Sequence, residues 1–171
     1  MKAIYPGSFD PITNGHLDIL DRSLSLFGEI VIVVAGAGAG TGKKSPLFTP
    51  EERVDLIREV VKDRKKVRVD RWSGLIMDYA RENQVSAVIR GLRAASDFEY
   101  EFMMASMNKQ IQPDVETIFM MTGQALYFVS SSMIKELFHY GGDISPYVHP
   151  EVVERLKLKI PQKAYKIDQK G

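Results

Sequence analysis

Short unbroken apolar runs alternate along this chain with segments whose apolar residues recur every three to four positions. Ala3-Ile-Tyr5, Ile30-Val-Ile-Val-Val34, Ala87-Val-Ile89 and Thr117-Ile-Phe-Met-Met121 are of the first kind. Such runs fit strands buried on both faces of a parallel sheet. Val67-Arg-Val-Asp70 alternates instead and reads as the third strand in chain order. Among the helical patterns, Leu17, Ile19, Leu20, Leu24 and Phe27 share one face, as do Leu75, Ile76, Tyr79 and Ala80. Thr13 has the chemistry of an N-cap, and Gly28 stands where a glycine can close the first helix. Thr49-Pro-Glu-Glu52 is a capping box with proline at the first helical position, opening a helix to about Val61. Further helices are expected over about 96–110, from Ser130 and from Pro150. Five alternations of strand and helix predict a single-domain α/β fold built on a doubly wound, five-stranded parallel sheet. The domain spans 1–160, and the polar stretch 161–171 is expected to be a loosely ordered tail.

Composition narrows the function classes. The 171 residues carry a net charge of +1, so no bulk field draws the protein to nucleic acid or membrane, and any anion site must be local. No cysteine is present, which excludes disulfides, thiol catalysis and thiolate metal sites. No targeting segment is evident, and no run approaches the length of a membrane span, so a cytoplasmic location is expected.

In a doubly wound sheet, ligands bind beyond the carboxyl ends of the strands. The expected strand ends carry Ser8 and His16, then Lys43 and Lys44, then Arg90 and Arg93, then Ser130-Ser-Ser132. Cations and phosphate-binding donors therefore gather at one edge of a nearly neutral protein, which points to a polyanion such as a nucleoside triphosphate. The densest stretch is Tyr5-Pro-Gly-Ser-Phe-Asp-Pro-Ile-Thr-Asn-Gly-His16. Prolines and Gly7 set a non-repeating turn there, and a Thr13 cap places Gly15 and His16 in the first helical turn, where open N–H groups favour phosphate. Each piece has a plainer reading: a turn with an exposed histidine, a surface arginine pair salt-bridged to Asp97 or Glu101, a serine-rich cap. Ala37-Gly-Ala-Gly-Thr-Gly-Lys-Lys44 approaches a Walker A loop but lacks its first glycine and its Ser/Thr. His139 and His149 have no partners at metal-ligand spacing, and no protein metal site is expected. Met103, Met104, Met107, Met120 and Met121 are read as core or subunit-interface filler, and Trp72 as packing before substrate channel.

Taken together, Gly7-Ser-Phe-Asp-Pro11 with Thr13-Asn-Gly-His16, Ile89-Arg-Gly-Leu-Arg93 with Asp97-Phe-Glu-Tyr-Glu101, and Val129-Ser-Ser-Ser-Met-Ile-Lys-Glu136 resemble the nucleotidyltransferase superfamily. The resemblance is to its bacterial phosphopantetheine adenylyltransferases and covers roughly residues 1–158. It implies a Rossmann-like nucleotidyltransferase fold. It also implies transfer of the adenylyl group of ATP to 4′-phosphopantetheine, giving dephospho-coenzyme A and pyrophosphate, with Mg²⁺ and a homohexameric assembly. By position, Ser8, Lys44, Ile76 and Arg90 would contact phosphopantetheine. Ser8, Phe9, His16, Gly91, Leu92, Arg93, Glu101, Leu126, Tyr127, Phe128, Val129, Ser130, Ser131 and Ser132 would contact ATP, with His16 stabilising the transition state. The loop at 35–45 is longer and richer in glycine and alanine than the family's, leaving Lys43 as an alternative to Lys44. Transfer to nicotinate mononucleotide or a polyol phosphate, or nucleotide sensing without turnover, are the competing readings.

Overall fold

The computed structural model describes residues 1–36 and 46–162. Five parallel strands, β1 (Lys2–Gly7), β2 (Glu29–Ala35), β3 (Val67–Trp72), β4 (Ala87–Leu92) and β5 (Glu116–Met121), lie in the order β3-β2-β1-β4-β5. The helices are α1 (Asn14–Leu24), α2 (Pro50–Val61), α3 (Ile76–Glu82), α4 (Ala95–Ile111), α5 (Ser131–His139) and α6 (Pro150–Lys159). Strand alternation divides the core in two. Ala3, Tyr5, Ile30, Ile32, Val34, Ala87 and Ile89 face residues of α1, α2, α5 and α6. Ile4, Val31, Val33 and Val88 face Met77, Tyr79 and Ala80 of α3. With both faces covered, apolar residues are wanted at every strand position, which is why these strands read as unbroken runs.

Chain order reverses at β1, which neighbours β2 on one side and β4 on the other. β1 pairs with β2 over six residues but with β4 only at Ala3–Ala87 and Ile4–Val88. Beyond Ile4 the two strands part, and Pro6 brings no N–H to close the gap. A crevice thus opens between β1 and β4 on the carboxyl side, the usual ligand position in an open α/β sheet.

Several boundaries differ from expectation for local reasons. β4 continues through Arg90, Gly91 and Leu92, paired with Phe119, Met120 and Met121, so Arg90 is a strand residue and only Arg93 lies beyond the end. β3 extends to Trp72 because β2 pairs with it as far as Ala35–Trp72. Helix α1 stops at Ser25, and Gly28, instead of closing it, donates its N–H to the Met1 carbonyl and leads into β2. Leu75 precedes α3 and is exposed. The capping box of α2 forms as expected, with Thr49 Oγ1 accepting from the Glu52 N–H at 3.2 Å and Glu52 returning the bond at 2.8 Å. The Gly-Ala loop and both candidate lysines at 43 and 44, with the tail from residue 163, lie outside the described residues.

Candidate active site

The turn from β1 to α1 is held in an unusual shape. Phe9 adopts a left-handed φ of 47°, a costly state for a side chain of this size, and the Asp10–Pro11 peptide is cis. This path folds the Phe9 ring into the core, edge-on to Tyr5 at 5.4 Å and to His16 at 5.1 Å. Gly7 is required here, since a Cβ would stand 2.9 Å from that ring. Thr13 caps α1, and His16 occupies the third helical position, where a capping box usually has Glu or Gln. Its Nδ1 accepts the Thr13 backbone N–H at 3.0 Å and stands 2.9 Å from the Thr13 hydroxyl. An amide N–H can only donate, so Nδ1 is unprotonated and the proton resides on Nε2. Burial, with help from the nearby Arg93 guanidinium, lowers the His16 pKa to about 4. His16 is therefore a neutral, fixed Nε2–H donor at physiological pH. The His16 N–H bonds to the Thr13 carbonyl, leaving Gly15 in the first turn with an N–H unpaired among the described residues.

β4 and α4 supply two arginines with different fixings. Arg90 makes a two-pronged ion pair with Glu101, at 2.6 and 2.5 Å, and reaches across the crevice to the Pro6 carbonyl at 3.1 Å. Arg93 is tied to Asp97 through Nε at 3.1 Å and through its own backbone N–H at 3.2 Å. Gly91 is set by packing: a Cβ would meet Ile19 at 2.4 Å. The serine run splits its duties. Ser130 caps α5 by accepting from the Met133 N–H, and Ser131 donates to the Pro11 carbonyl at 2.7 Å. Ser132 is exposed, and its hydroxyl has no partner among the described residues.

Two cavities open along the crevice. The larger, about 600 Å³, is lined by Ser8, Phe9, Gly15, His16, Gly91 and Arg93, together with Glu101, Thr122 and Val129 to Ser132. The smaller, about 230 Å³, is lined by Val33, Trp72, Ile76, Met104, Ala105 and Asn108. Pro6, Gly7, Ser8, Arg90, Tyr100 and Glu101 line both, so the cavities share a wall. Of the expected ATP contacts, Leu92, Leu126, Tyr127 and Phe128 do not line the larger cavity; Leu92 is buried, and Tyr127 and Phe128 face solvent. Arg90, expected on the acceptor side, faces both cavities. Trp72 is cavity wall as well as packing, edge-on to Tyr79 at 5.4 Å, and Met104 is cavity wall. Tyr100 and Asn108 were not singled out from sequence: their position depends on which face α4 turns to the sheet, and α4 has apolar residues on every side. His139 and His149 are far from any such role, His149 accepting from the Glu151 N–H as a helix cap.

The chain is similar to known proteins. The profile of the cytidylyltransferase-like family matches residues 4–137. The phosphopantetheine adenylyltransferase of Syntrophotalea carbinolica is 52% identical over 93% of this chain and 93% of that one. Its counterpart in Thiobacillus denitrificans is 48% identical, covering 94% of this chain and 98% of its own length. The chain belongs to the phosphopantetheine adenylyltransferases, within the cytidylyltransferase-like family. It is accordingly a nucleotidyltransferase enzyme. The fold also resembles that of the lipopolysaccharide core biosynthesis protein from Thermoplasma volcanium. That likeness has a TM-score of 0.58 at 25% identity, covering 72% of this chain and 98% of the other. In this chain the β1–α1 turn, the β4–α4 arginines and the α5 serines form one continuous lining instead of three separate surface features.

Proposed function

We propose that the protein transfers the adenylyl group of ATP to the phosphate of 4′-phosphopantetheine, forming dephospho-coenzyme A and pyrophosphate. The observation that carries this reading is the pair of cavities meeting at Ser8, Arg90 and Glu101. ATP occupies the larger, where a neutral imidazole N–H, Arg93, the Gly15 N–H and the α5 serines offer donors to a triphosphate. The acceptor's arm occupies the smaller, whose aliphatic and aromatic walls are interrupted by the Asn108 amide and Thr117. Its phosphate then lies beside Arg90, at the shared wall, facing the α-phosphate of ATP.

The attacking group is a phosphate monoester oxygen, already mostly dianionic near pH 7 because its second pKa is about 6. No protein base is required. One oxygen–phosphorus bond forms at the α-phosphate while the bond to the pyrophosphate leaving group breaks, with no covalent enzyme intermediate. Positioning two anions in line and stabilising charge on the α-phosphate is the protein's task. His16 serves as a donor held in place before the reaction by the Thr13 bond. Among the described residues, no group of three or more His, Cys, Asp or Glu could hold a metal, so a protein cage for Mg²⁺ does not fit. Magnesium is instead part of the substrate, as MgATP.

A homohexamer is also proposed. Phe98, Phe102, Met103, Met107 and Ile111 of α4 are exposed, a large apolar surface for one helix of a soluble enzyme. Light scattering should return the mass of six chains. A cytoplasmic location is proposed as well; no helix among the described residues is long and apolar enough to cross a membrane. The decisive functional assay is pyrophosphate release from MgATP with a panel of acceptors. Turnover is expected with 4′-phosphopantetheine and at least a hundredfold less with nicotinate mononucleotide or glycerol phosphate. Preference for either of the latter would overturn the acceptor assignment.

A further inference from the structure

Behind the β1–α1 turn lies a charged cluster that lines neither cavity. Asp10 is buried, and both of its carboxylate oxygens are engaged. Oδ1 accepts from the Phe48 N–H at 2.9 Å, and Oδ2 from the Leu47 N–H at 3.0 Å and from Lys135 Nζ at 2.6 Å. Burial would push the Asp10 carboxyl up, but Lys135 and the two backbone donors together hold it below the usual carboxylate range, so the pair stays charged. Arg53, from α2 and almost wholly buried, donates to the Ser8 carbonyl at 2.5 Å. The Asp10–Lys135 and Arg53–Ser8 contacts therefore bind three separate segments: the turn carrying Ser8 and Phe9, the entry to α2, and helix α5.

Two of them, the turn and α5, line the larger cavity, and the entry to α2 braces the turn from behind. Lys135 projects from α5, whose first turn presents Ser131 and Ser132 to that cavity. Asp10 follows Phe9, whose ring packs on His16. We infer that Asp10 and Lys135 are positioning residues, a clasp setting the distance between the His16 side of the triphosphate site and the serine side. Arg53 fixes the remaining freedom of the turn through the Ser8 carbonyl. The clasp acts on geometry without touching ligand, so its loss falls on the rate of the bound complex. A misplacement of about 1 Å can cost on the order of 100-fold in rate. The Ser131–Pro11 bond, a second tie between the same two segments, limits how far they can part.

This inference rests on the adenylyl-transfer reading, and one set of measurements separates the two. Absence of product from wild-type protein with MgATP and 4′-phosphopantetheine would overturn that reading, whereas an active wild type matched by its clasp variants would overturn the clasp alone. With wild type active, Lys135→Met should lower kcat about 10–100-fold while ATP Kd changes less than about threefold. Asp10→Asn should do the same, and the double variant should be no slower than the worse single one, since either change opens the clasp. Lys135→Arg should restore kcat to within about threefold of wild type. Should buried Asp10→Asn fail to fold, the partly exposed Lys135 carries the test alone. A Lys135→Met kcat within threefold of wild type would overturn the clasp. So would a loss confined to ATP affinity, which would make Lys135 a direct phosphate ligand, or losses that multiply in the double variant.

Discussion

The two cavities share a wall and little else. The larger is built from backbone ends and fixed donors: a helix first turn, a neutral histidine, an arginine beyond a strand and a serine-capped helix. The smaller takes much of its apolar wall from side chains that also pack the sheet, Val33, Val88, Trp72 and Ile76. The polar site therefore depends on backbone shape, such as the left-handed Phe9, while the apolar one depends on side-chain volume. Changes in the first should act on rate, and changes in the second on acceptor affinity. Of the six residues lining both, four carry a hydroxyl or a charge able to serve either side: Ser8, Arg90, Tyr100 and Glu101.

The largest effect should come from the most strictly positioned donor. His16→Ala is expected to lower kcat about 10²–10³-fold, the usual loss for one donor aimed at developing charge, with ATP Kd changed far less. Stopped-flow turnover with ATP titration checks this, and a kcat within threefold would remove His16 from the transition state. Next, Arg90→Ala and Arg93→Ala should divide according to the cavities they line. Arg90→Ala should weaken both ligands about tenfold or more, phosphopantetheine most, and Arg93→Ala only ATP. Calorimetric titration of each variant with each ligand decides, and equal losses for both variants would erase the distinction between the sites. Smaller still is the apolar wall: Trp72→Ala should raise KM for phosphopantetheine about fivefold or more and leave ATP binding and kcat near wild type. An ATP effect of the same size would show that the cavities are one.

The fold was legible in the sequence because burial on both sheet faces leaves unbroken apolar runs. Cap chemistry at Thr13 and Thr49 located two helix starts within a residue. Arg90 and Gly91 misled, because their polar or small character resembles a loop while the ladder to β5 holds them in β4. Gly91, expected at the ATP site, does line the larger cavity, and Ile19 packs where its Cβ would stand. The motifs marked much of the larger cavity's lining, and Ser8, Ile76 and Arg90 part of the smaller's; Met104 and Asn108 are recruited by topology and no local spacing marks them. Nor could sequence supply the His16 tautomer, which follows from one bond to the Thr13 N–H.

That bond gives the mildest prediction. By nitrogen NMR, His16 should remain the Nε2–H tautomer down to about pH 5, titrating near 4. Since its folded pKa lies below the ordinary 6.5, the unfolded chain takes the proton more readily. Its contribution to stability is thus complete above about pH 6.5 and is lost as pH falls toward 4. A titration midpoint near 6.5 in the folded protein would show the imidazole to be solvent-exposed and free to charge.

The central claim is that the acceptor's own phosphate attacks, with the protein supplying geometry and no nucleophile. Isotope exchange between labelled pyrophosphate and MgATP tests it most directly. Without any acceptor or acceptor product, the enzyme should catalyse no exchange, and adding dephospho-coenzyme A should start formation of labelled ATP by reversal. Exchange with MgATP and pyrophosphate alone would require an adenylylated enzyme and would contradict the account.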